Sequence, residues 1–297
     1  MAKKISEKFE TNHHILYVDN FLRELPKAIS IVKQPFWDLH WYYVVQKAKS
    51  LSSLLLSGDG GDELFGGYTF RYQKFLSLIN ASSSIKDKVL VYLACHERDW
   101  VEDQEELFGQ KMNFSWTEIH SSLQSHFANN LDPLNQVFLA DYNGKLVHNM
   151  LPLYNNIHNY FEIKNIAPLL SFELIQLATH LSKELKYDSQ TNMGKLVLRK
   201  ILKQFDINKL VTQNKQGFSV NTSNLWKNHG QKLCKYYLTN SRITKEGWIN
   251  YEWVKKHLNN NELDVRIVNK FLGLLAFEIW YRLFISNEMK SDELLDT

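Results

Sequence analysis

Residues 51–68 read L-S-S-L-L-L-S-G-D-G-G-D-E-L-F-G-G-Y, and no other stretch restricts the fold as tightly. Leu54–Leu56 form an apolar run bounded by Ser57 and Gly58. Such a run fits a buried strand of a parallel sheet, although its length alone leaves a buried helix turn open. Gly58, Gly60 and Gly61 permit positive φ and close approach of the backbone to a ligand. Asp62 is expected to cap a helix starting near Glu63, where amide N–H groups and the helix dipole favour negative charge. Asp59 and Asp62, three residues apart, are placed to face one divalent metal bound to phosphate. Mg²⁺ is typically held by one or two carboxylates plus substrate phosphate. The same letters also describe a plain glycine-rich strand-to-helix turn with a capping aspartate.

Around this stretch the periodicity alternates between helix and strand. Residues 2–10 read as the tail of an amphipathic helix and His13–Val18 as a short strand. Helices are predicted over 20–33 and 38–49, with Pro35 between them, leading to a strand over 52–56. This is the αβαβ rhythm of a parallel sheet with crossover helices. After Tyr68 nearly everything reads as helix. The predicted spans are 69–80, 85–95, 116–128, 134–150, 172–182, 194–205, 222–239, 251–258 and 266–286. Only five prolines and twelve glycines interrupt the chain, mostly between these spans.

Composition supplies exclusions. An apolar share of 44% is ample for a core. A formal net charge of +3 gives no support to nucleic-acid binding through a general basic surface. Cys95 and Cys234 stand alone without C-x-x-C spacing, so both are expected to be reduced and structural. The charged N-terminus is not a signal peptide, and no stretch approaches a membrane span, so a cytoplasmic protein without membrane partners is expected. The acids Glu102, Asp103, Glu105 and Glu106 crowd into five consecutive positions, cannot converge on one point, and read as a solvated face. His13 and His14 read as structural. Trp37, Trp41, Trp248, Trp253 and Trp280 read as helix-packing residues rather than an aromatic binding box.

A second constellation lies at 193–220. A basic amphipathic helix, M-G-K-L-V-L-R-K-I-L-K-Q-F, is followed by N-K-Q-G-F-S-V. Lys215, just ahead of a glycine, can reach a cleft as a point charge on phosphate, and reads equally as a surface lysine.

The twelve residues Ser57–Tyr68 match, position by position, a signature of the asparagine synthetase superfamily, which includes the β-lactam synthetases. The chain resembles the synthetase domain of that family. K-x-x-L-R-K followed by K-Q-G-F, and the C-terminal E-G-W-I-N-Y-E-W-V-K-K-H-L and F-E-I-W-Y-R-L-F, are similar to further family segments. The likeness runs from about residue 3 to residue 285.

The resemblance implies an α/β fold. An incomplete parallel-sheet ATP-pyrophosphatase core, residues 1–68, would be followed by a mainly helical part, residues 69–297. It implies ATP and Mg²⁺ as cofactors, a small-molecule carboxylate as substrate, and amide formation through an adenylated carboxylate. Ser57, Gly58, Gly60 and Gly61 would contact the nucleotide, with Tyr68 bordering its pocket. Asp59 would act as acid or base, Asp62 would bind the metal, and Lys215 would stabilise the transition state.

Three departures qualify this. The family loop S-G-G-x-D-S, which grips pyrophosphate through backbone amides, is absent, so the chain is expected to begin after the family's second strand. No glutaminase half is recognised, and Ala2 stands where that half would carry a cysteine. The middle signature is eroded: Asn155 and Asn156 replace an Asp-Arg pair, and Pro168-Leu169-Leu170-Ser171 replaces P-F-L-D. The expectations left standing are a ligase working with a protein that supplies the phosphate loop or ammonia, a non-catalytic binding subunit, or an amide-former acting on another carboxylate.

Overall fold

A computed structural model describes residues 1–80, 82–96, 101, 103–207, 210, 220–260 and 263–296. Helices α1 (Ala2–Lys8), α2 (Leu25–Val32) and α3 (His40–Lys49) precede strand β1 (Leu54–Leu56). The short helix α4 (Gly61–Phe65) follows, then α5 (Thr69–Leu78), α6 (Ile85–Ala94), α7 (Gln104–Leu107) and α8 (Trp116–Phe127). One continuous helical run covers α9 (Pro133–Ala140), a π-helical stretch (Asp141–Met150) and α10 (Leu151–Tyr160). Strand β2 (Lys164–Ile166), α11 (Phe172–His180), β3 (Tyr187–Asp188), β4 (Met193–Gly194) and α12 (Leu196–Gln204) come next. A second continuous run covers α13 (Thr222–Leu225), a π-helical turn (Trp226–Gly230) and α14 (Gln231–Leu238). Then follow α15 (Arg242–Lys245), α16 (Tyr251–Leu258) and α17 (Val265–Phe284).

The result is a mixed α/β fold, mostly helical, with two small sheets among the described residues. β1 pairs in parallel with β2, Leu54, Leu55 and Leu56 lying opposite Lys164, Asn165 and Ile166. β3 and β4 form an antiparallel pair. Helix starts are locally encoded. Ser84 caps α6 in a reciprocal box, its hydroxyl accepting from the Asp87 amide while the Asp87 carboxylate accepts from the Ser84 amide. Asp132 accepts from the Leu134 and Asn135 amides, and Pro133 supplies a pre-set first turn.

The largest core forms around α17, which buries Phe271, Leu272, Leu275 and Ile279 against α2, α14 and α15. A second apolar cluster joins α5, α6, α8 and α9 through Tyr72, Phe75, Tyr92, Phe127 and Val137. A third, small one packs Leu64 and Phe65 on Ala178 of α11. Within the largest core, Glu278 is fully buried and accepts from the Arg242 and Ile243 amides at 3.0 Å and from the Arg282 side chain at 2.6 Å. It thereby satisfies the first amides of α15, which no intrahelical acceptor can reach. Both cysteines are free and buried, and the five tryptophans pack on the core as expected. Among the described residues no helix is long and apolar enough to cross a membrane.

Several expectations are corrected. Residues 13–18 form no strand; Tyr17 is 87% exposed, and His13 and His14 are exposed with it. A strand needs a ladder partner, and among the described residues β1 pairs only with β2. Nor is β1 buried: Leu54 is 45% and Leu56 is 68% exposed, so their face of the sheet is left uncovered among the described residues. The helix predicted over 20–33 begins only at Leu25, with Pro26 in its first turn. The helix predicted over 134–150 instead runs on through Pro152. The π-helical stretch ends just before that proline, so the missing N–H falls where the hydrogen-bond pattern is already changing. Asp103 is not merely solvated: its carboxylate contacts Lys256 at 3.2 Å and His257 at 2.9 Å. Glu102 lies outside the described residues.

Removing the Glu278 carboxylate strands buried donors. Glu278→Ala is expected to cost about 3–5 kcal/mol, the range for breaking a buried charged network. A urea midpoint shift corresponding to less than about 1 kcal/mol would contradict this role for Glu278.

Candidate active site

The loop after β1 is held from two sides. The Ser57 amide donates to the Ile166 carbonyl at 3.0 Å, carrying the parallel ladder one residue past β1. The Ser57 hydroxyl donates to Asp59 Oδ2 at 2.7 Å and accepts from Asn165 Nδ2 at 3.2 Å. β2 therefore orients Asp59 through Ser57. Gly58 is exposed, and a Cβ added there would meet no atom within 4 Å. Packing does not explain a glycine at that position.

The turn beyond is governed by close approach. α4 is capped by Gly60 in a left-handed conformation, φ 84°, and not by Asp62. Asp62 lies inside the first helical turn, so its side chain is released from capping. Its Oδ1 lies 2.9 Å from Lys195 Nζ. Gly67 closes over this pair: a Cβ there would fall 1.7 Å from Asp62 Oδ1 and 2.7 Å from Lys195 Cε. Lys195 immediately precedes α12, and its amide donates to the Phe65 carbonyl at 3.0 Å.

Behind the loop lies a buried polar group. The Tyr68 hydroxyl donates to Glu63 Oε1 at 2.5 Å, and both residues are buried. The Arg71 guanidinium and the Lys145 ammonium lie over the Tyr68 ring, 4.5 and 4.0 Å from its centre. Arg71 pairs with the fully buried Asp141, which also accepts from Tyr92 at 2.9 Å. Burial raises the pKa of Glu63, against the lowering effect of the Tyr68 bond.

α10 packs against α3. Trp41 Nε1 donates to His158 Nε2 at 3.1 Å. An indole N–H can only donate, so His158 must be neutral with its proton on Nδ1. Burial lowers the His158 pKa, while the Asp59 charge opposes it. Asn155 and Asn156 are exposed on this helix.

Of the residues expected at a site, Ser57, Gly58, Asp59, Gly60, Gly61 and Asp62 lie together on one loop. Tyr68 is tied to the back of that loop. Lys215 lies outside the described residues. Lys195 was missed as a site residue because its K-x-x-L-R-K context reads as one face of a helix. His158 was missed because a lone histidine carries no ligand spacing.

As for a metal, Asp59, Asp62 and Ser57 offer hard oxygen donors of the kind Mg²⁺ prefers. Among the described residues no group of three His, Cys, Asp or Glu side chains converges on one point. The donor set thus fits a cation that shares its shell with phosphate oxygens, and does not form a cage of its own.

A family model for asparagine synthase matches residues 1–282. The chain belongs to the asparagine synthase family. A glutamine-hydrolyzing asparagine synthetase of Bacillus subtilis is 24% identical over 316 aligned positions, covering 94% of this chain and 49% of that protein. A candidate asparagine synthetase of Methanocaldococcus jannaschii is 38% identical over 71 residues, 22% of this chain and 14% of its own length. One of Mycobacterium tuberculosis is 36% identical over 67 residues, 22% of this chain and 10% of its own. The chain spans about half the length of the Bacillus relative. Membership in the asparagine synthase family agrees with the Ser57–Tyr68 signature on which the resemblance rested.

Two variants separate packing from function in the loop. Gly67→Ala forces a methyl into Asp62 and Lys195 and is expected to cost about 1–3 kcal/mol in urea denaturation. Gly58→Ala, with open space, is expected to stay within about 0.5 kcal/mol of the parent. Reversed costs would show that the turn is assembled differently.

A further expectation concerns pH. The folded state holds His158 below its unfolded pKa of about 6.5. The unfolded chain then binds more protons as pH falls, so this contribution to stability is full above that value and is lost as pH falls from there through the lower folded pKa. ¹⁵N NMR is expected to find the Nδ1–H tautomer at pH 7 and a still neutral ring at pH 6.5. An Nε2–H tautomer, or an imidazole half-protonated at pH 6.5, would contradict it.

Proposed function

We propose that the chain is the synthetase part of an ATP-dependent amide-forming ligase, acting on a carboxylate through its adenylate. The observation carrying this reading is the Ser57–Asp62 loop, which presents Asp59 and Asp62 on a frame set by β2 and Lys195. Ser57 and the open backbone at Gly58 would approach the nucleotide, with Gly60 and Gly61 shaping the turn. Asp62 would share Mg²⁺ with the phosphates, exchanging its present contact with Lys195. That ion, when bound, offsets the phosphate charge that develops as pyrophosphate leaves. Asp59, oriented by Ser57, would take the proton that the attacking amine loses. Lys215 would add a cation to the phosphates.

The fold supports a second element of the reading. β1 has one unpaired edge among the described residues, and Leu54 and Leu56 stand exposed on it. Unpaired edges with exposed apolar side chains recruit further strands. We infer that this edge takes a strand carrying the S-G-G-x-D-S loop, in which the ATP-pyrophosphatase core is completed. Whether that strand belongs to the same polypeptide or to another, the anion cradle and the Asp59–Asp62 loop would then face one nucleotide.

An alternative reading is a subunit that binds without catalysing. The exposed Asn155 and Asn156, standing where the family carries an acid and an arginine, favour it, and they equally favour an amide-former that uses a different carboxylate.

ATP–pyrophosphate exchange decides among these, measured with and without a polypeptide bearing S-G-G-x-D-S. Exchange is expected only with both present, and Asp62→Asn is expected to lower it by about 10²–10³-fold, the range for loss of one electrostatic anchor. No exchange under either condition, with protein shown to be folded, would sink the ligase reading. Calorimetric binding of Mg·ATP to the chain would then separate a nucleotide-binding subunit from a non-binding one.

A further inference from the structure

β2 carries an asparagine, Asn165, at a place where stability gives no reason for one. In the parallel pair of β1 and β2, Leu55 lies opposite Asn165. Side chains alternate along a strand, so Leu54, Leu56, Lys164 and Ile166 stand exposed on one face, and half-buried Leu55, Ser57 and Asn165 share the other. Leu55 packs against the largest core from that face. A branched apolar residue would suit position 165 better than an amide. The amide is also only half satisfied. Its Nδ2 donates to the Ser57 hydroxyl at 3.2 Å, while its Oδ1 is buried without a hydrogen-bond partner among the described residues. A buried acceptor left unpaired costs stability and calls for a reason other than packing.

The count of protons supplies that reason. The Ser57 hydroxyl has one proton, and it donates that proton to Asp59 Oδ2 at 2.7 Å. Towards Asn165 the hydroxyl can therefore only accept, so the amide nitrogen, not the oxygen, must face it. Turning the amide over would satisfy Oδ1 by taking the Ser57 proton. Asp59 would then lose the one side-chain donor it has among the described residues. The relay from Asn165 through Ser57 to Asp59 thus runs in one direction, and the N–H at its start fixes that direction. Both bonds are part-buried, where water competes less for the partners.

We propose that Asn165 is a positioning residue of the reaction: by donating to Ser57 it keeps the serine proton on Asp59 Oδ2, and so holds the Asp59 carboxylate in a single orientation. The role in the reaction rests on the amide-forming reading; the relay rests on the two hydrogen bonds alone. Asn165 acts through Ser57 and needs no contact with the substrate. An amide is required at position 165 because a carboxylate of the same shape has no proton to give and would draw the Ser57 proton to itself.

Two variants of similar size test the direction of the relay. Asn165→Asp replaces the donor by an acceptor, whereas Asn165→Leu keeps the bulk and leaves Ser57 free to go on donating to Asp59. In pyrophosphate exchange with the S-G-G-x-D-S polypeptide, Asn165→Asp is expected to lower kcat by about 10–100-fold, the effect of losing one hydrogen bond to a charged group, with the KM for ATP within about threefold. Asn165→Leu is expected to stay within about threefold of the parent in kcat. Ser57→Ala is expected to lose as much as Asn165→Asp, and in that background Asn165→Asp is expected to add less than about twofold, because no proton is left to redirect. An Asn165→Asp loss that persists in full without the Ser57 hydroxyl is a plain effect of added charge and overturns the proposal, as does equal loss in the Asp and Leu variants. Circular dichroism checks that each variant is folded. The ¹H–¹⁵N signal of the Asn165 side-chain amide reads the relay without activity: Ser57→Ala is expected to shift it, and an unchanged signal overturns the relay. Exchange that Asn165→Asp leaves unaltered removes the role of Asn165 and leaves the ligase. No exchange in the parent, with the amide signal still shifting, removes the ligase and this role with it, and leaves the relay as a feature of the fold.

Discussion

The candidate site depends on one close approach of backbone to backbone. Gly194 lies so near the turn that ends α4 that a Cβ on it would fall 1.9 Å from the Gly66 carbonyl oxygen. Gly66 itself adopts φ 74°, with its missing side chain facing the Lys186 carbonyl. No larger residue permits these contacts. Because they form, the residue after Gly194 is delivered to the loop, its amide on the Phe65 carbonyl and its ammonium on Asp62. Two segments remote in the chain thus meet through missing side chains, and the charge pairing follows from that placement.

Magnitudes indicate what holds the loop and what only decorates it. The Asp62–Lys195 pair is partly exposed, and such pairs contribute about 0–1 kcal/mol. That is too little to fix a turn, and little enough to be exchanged for another ligand. Burial of Leu64 and Phe65 is the larger contribution, at about 1.5–3 kcal/mol for each side chain. Behind them lie two buried pairs, Tyr68 with Glu63 and Arg71 with Asp141, joined by the Arg71 guanidinium over the Tyr68 ring. Replacing one member would leave a charge stranded, which costs more than the whole pair contributes. The loop is therefore rigid at its back and adjustable at its front, where Asp59 and Asp62 stand.

Legibility in the sequence followed the range of the forces involved. Helices with local signals appear where they were expected: α16 coincides with its predicted span, and α6 begins at the Ser84–Asp87 box. The strand at β1 was legible from three leucines. Its partner β2 was not, because K-N-I is short, polar at two positions and lacks any alternation. Its strand character comes from the ladder with β1, a contact remote in sequence. The reverse error at 13–18 has the same origin: H-H-I-L-Y-V has strand composition, but the described residues offer it no neighbour. Asp62 suits a cap because acids commonly occupy that position, whereas the left-handed Gly60 takes it here. Lys195 and His158 matter through partners more than a hundred residues away, and nothing in their local spacing indicates those partners.

The long helix from Pro133 to Tyr160 shows how the three apolar clusters become one molecule. Leu134 and Val137 pack in the cluster of α5, α6 and α8; Tyr142 rests on Leu64 and Phe65 beneath the loop; Ile157 enters the core around α17. A regular α-helix presents one face at a fixed period, and three clusters set independently will not all fall on it. The π-helical stretch Asp141–Met150 changes that period in the middle of the run. Asp141, at its start, pairs with Arg71, while beyond it His158 accepts from Trp41 and Tyr154 packs on the Trp41 ring. Pro152, in the first turn of α10, is then tolerated, since its missing N–H falls where the hydrogen-bond pattern changes. Straightening this segment into α-helix would turn Tyr154 and His158 away from Trp41 without altering any residue that touches Asp62. The π-helical stretch, more than the loop signature, determines which side chains of α10 meet Trp41 of α3.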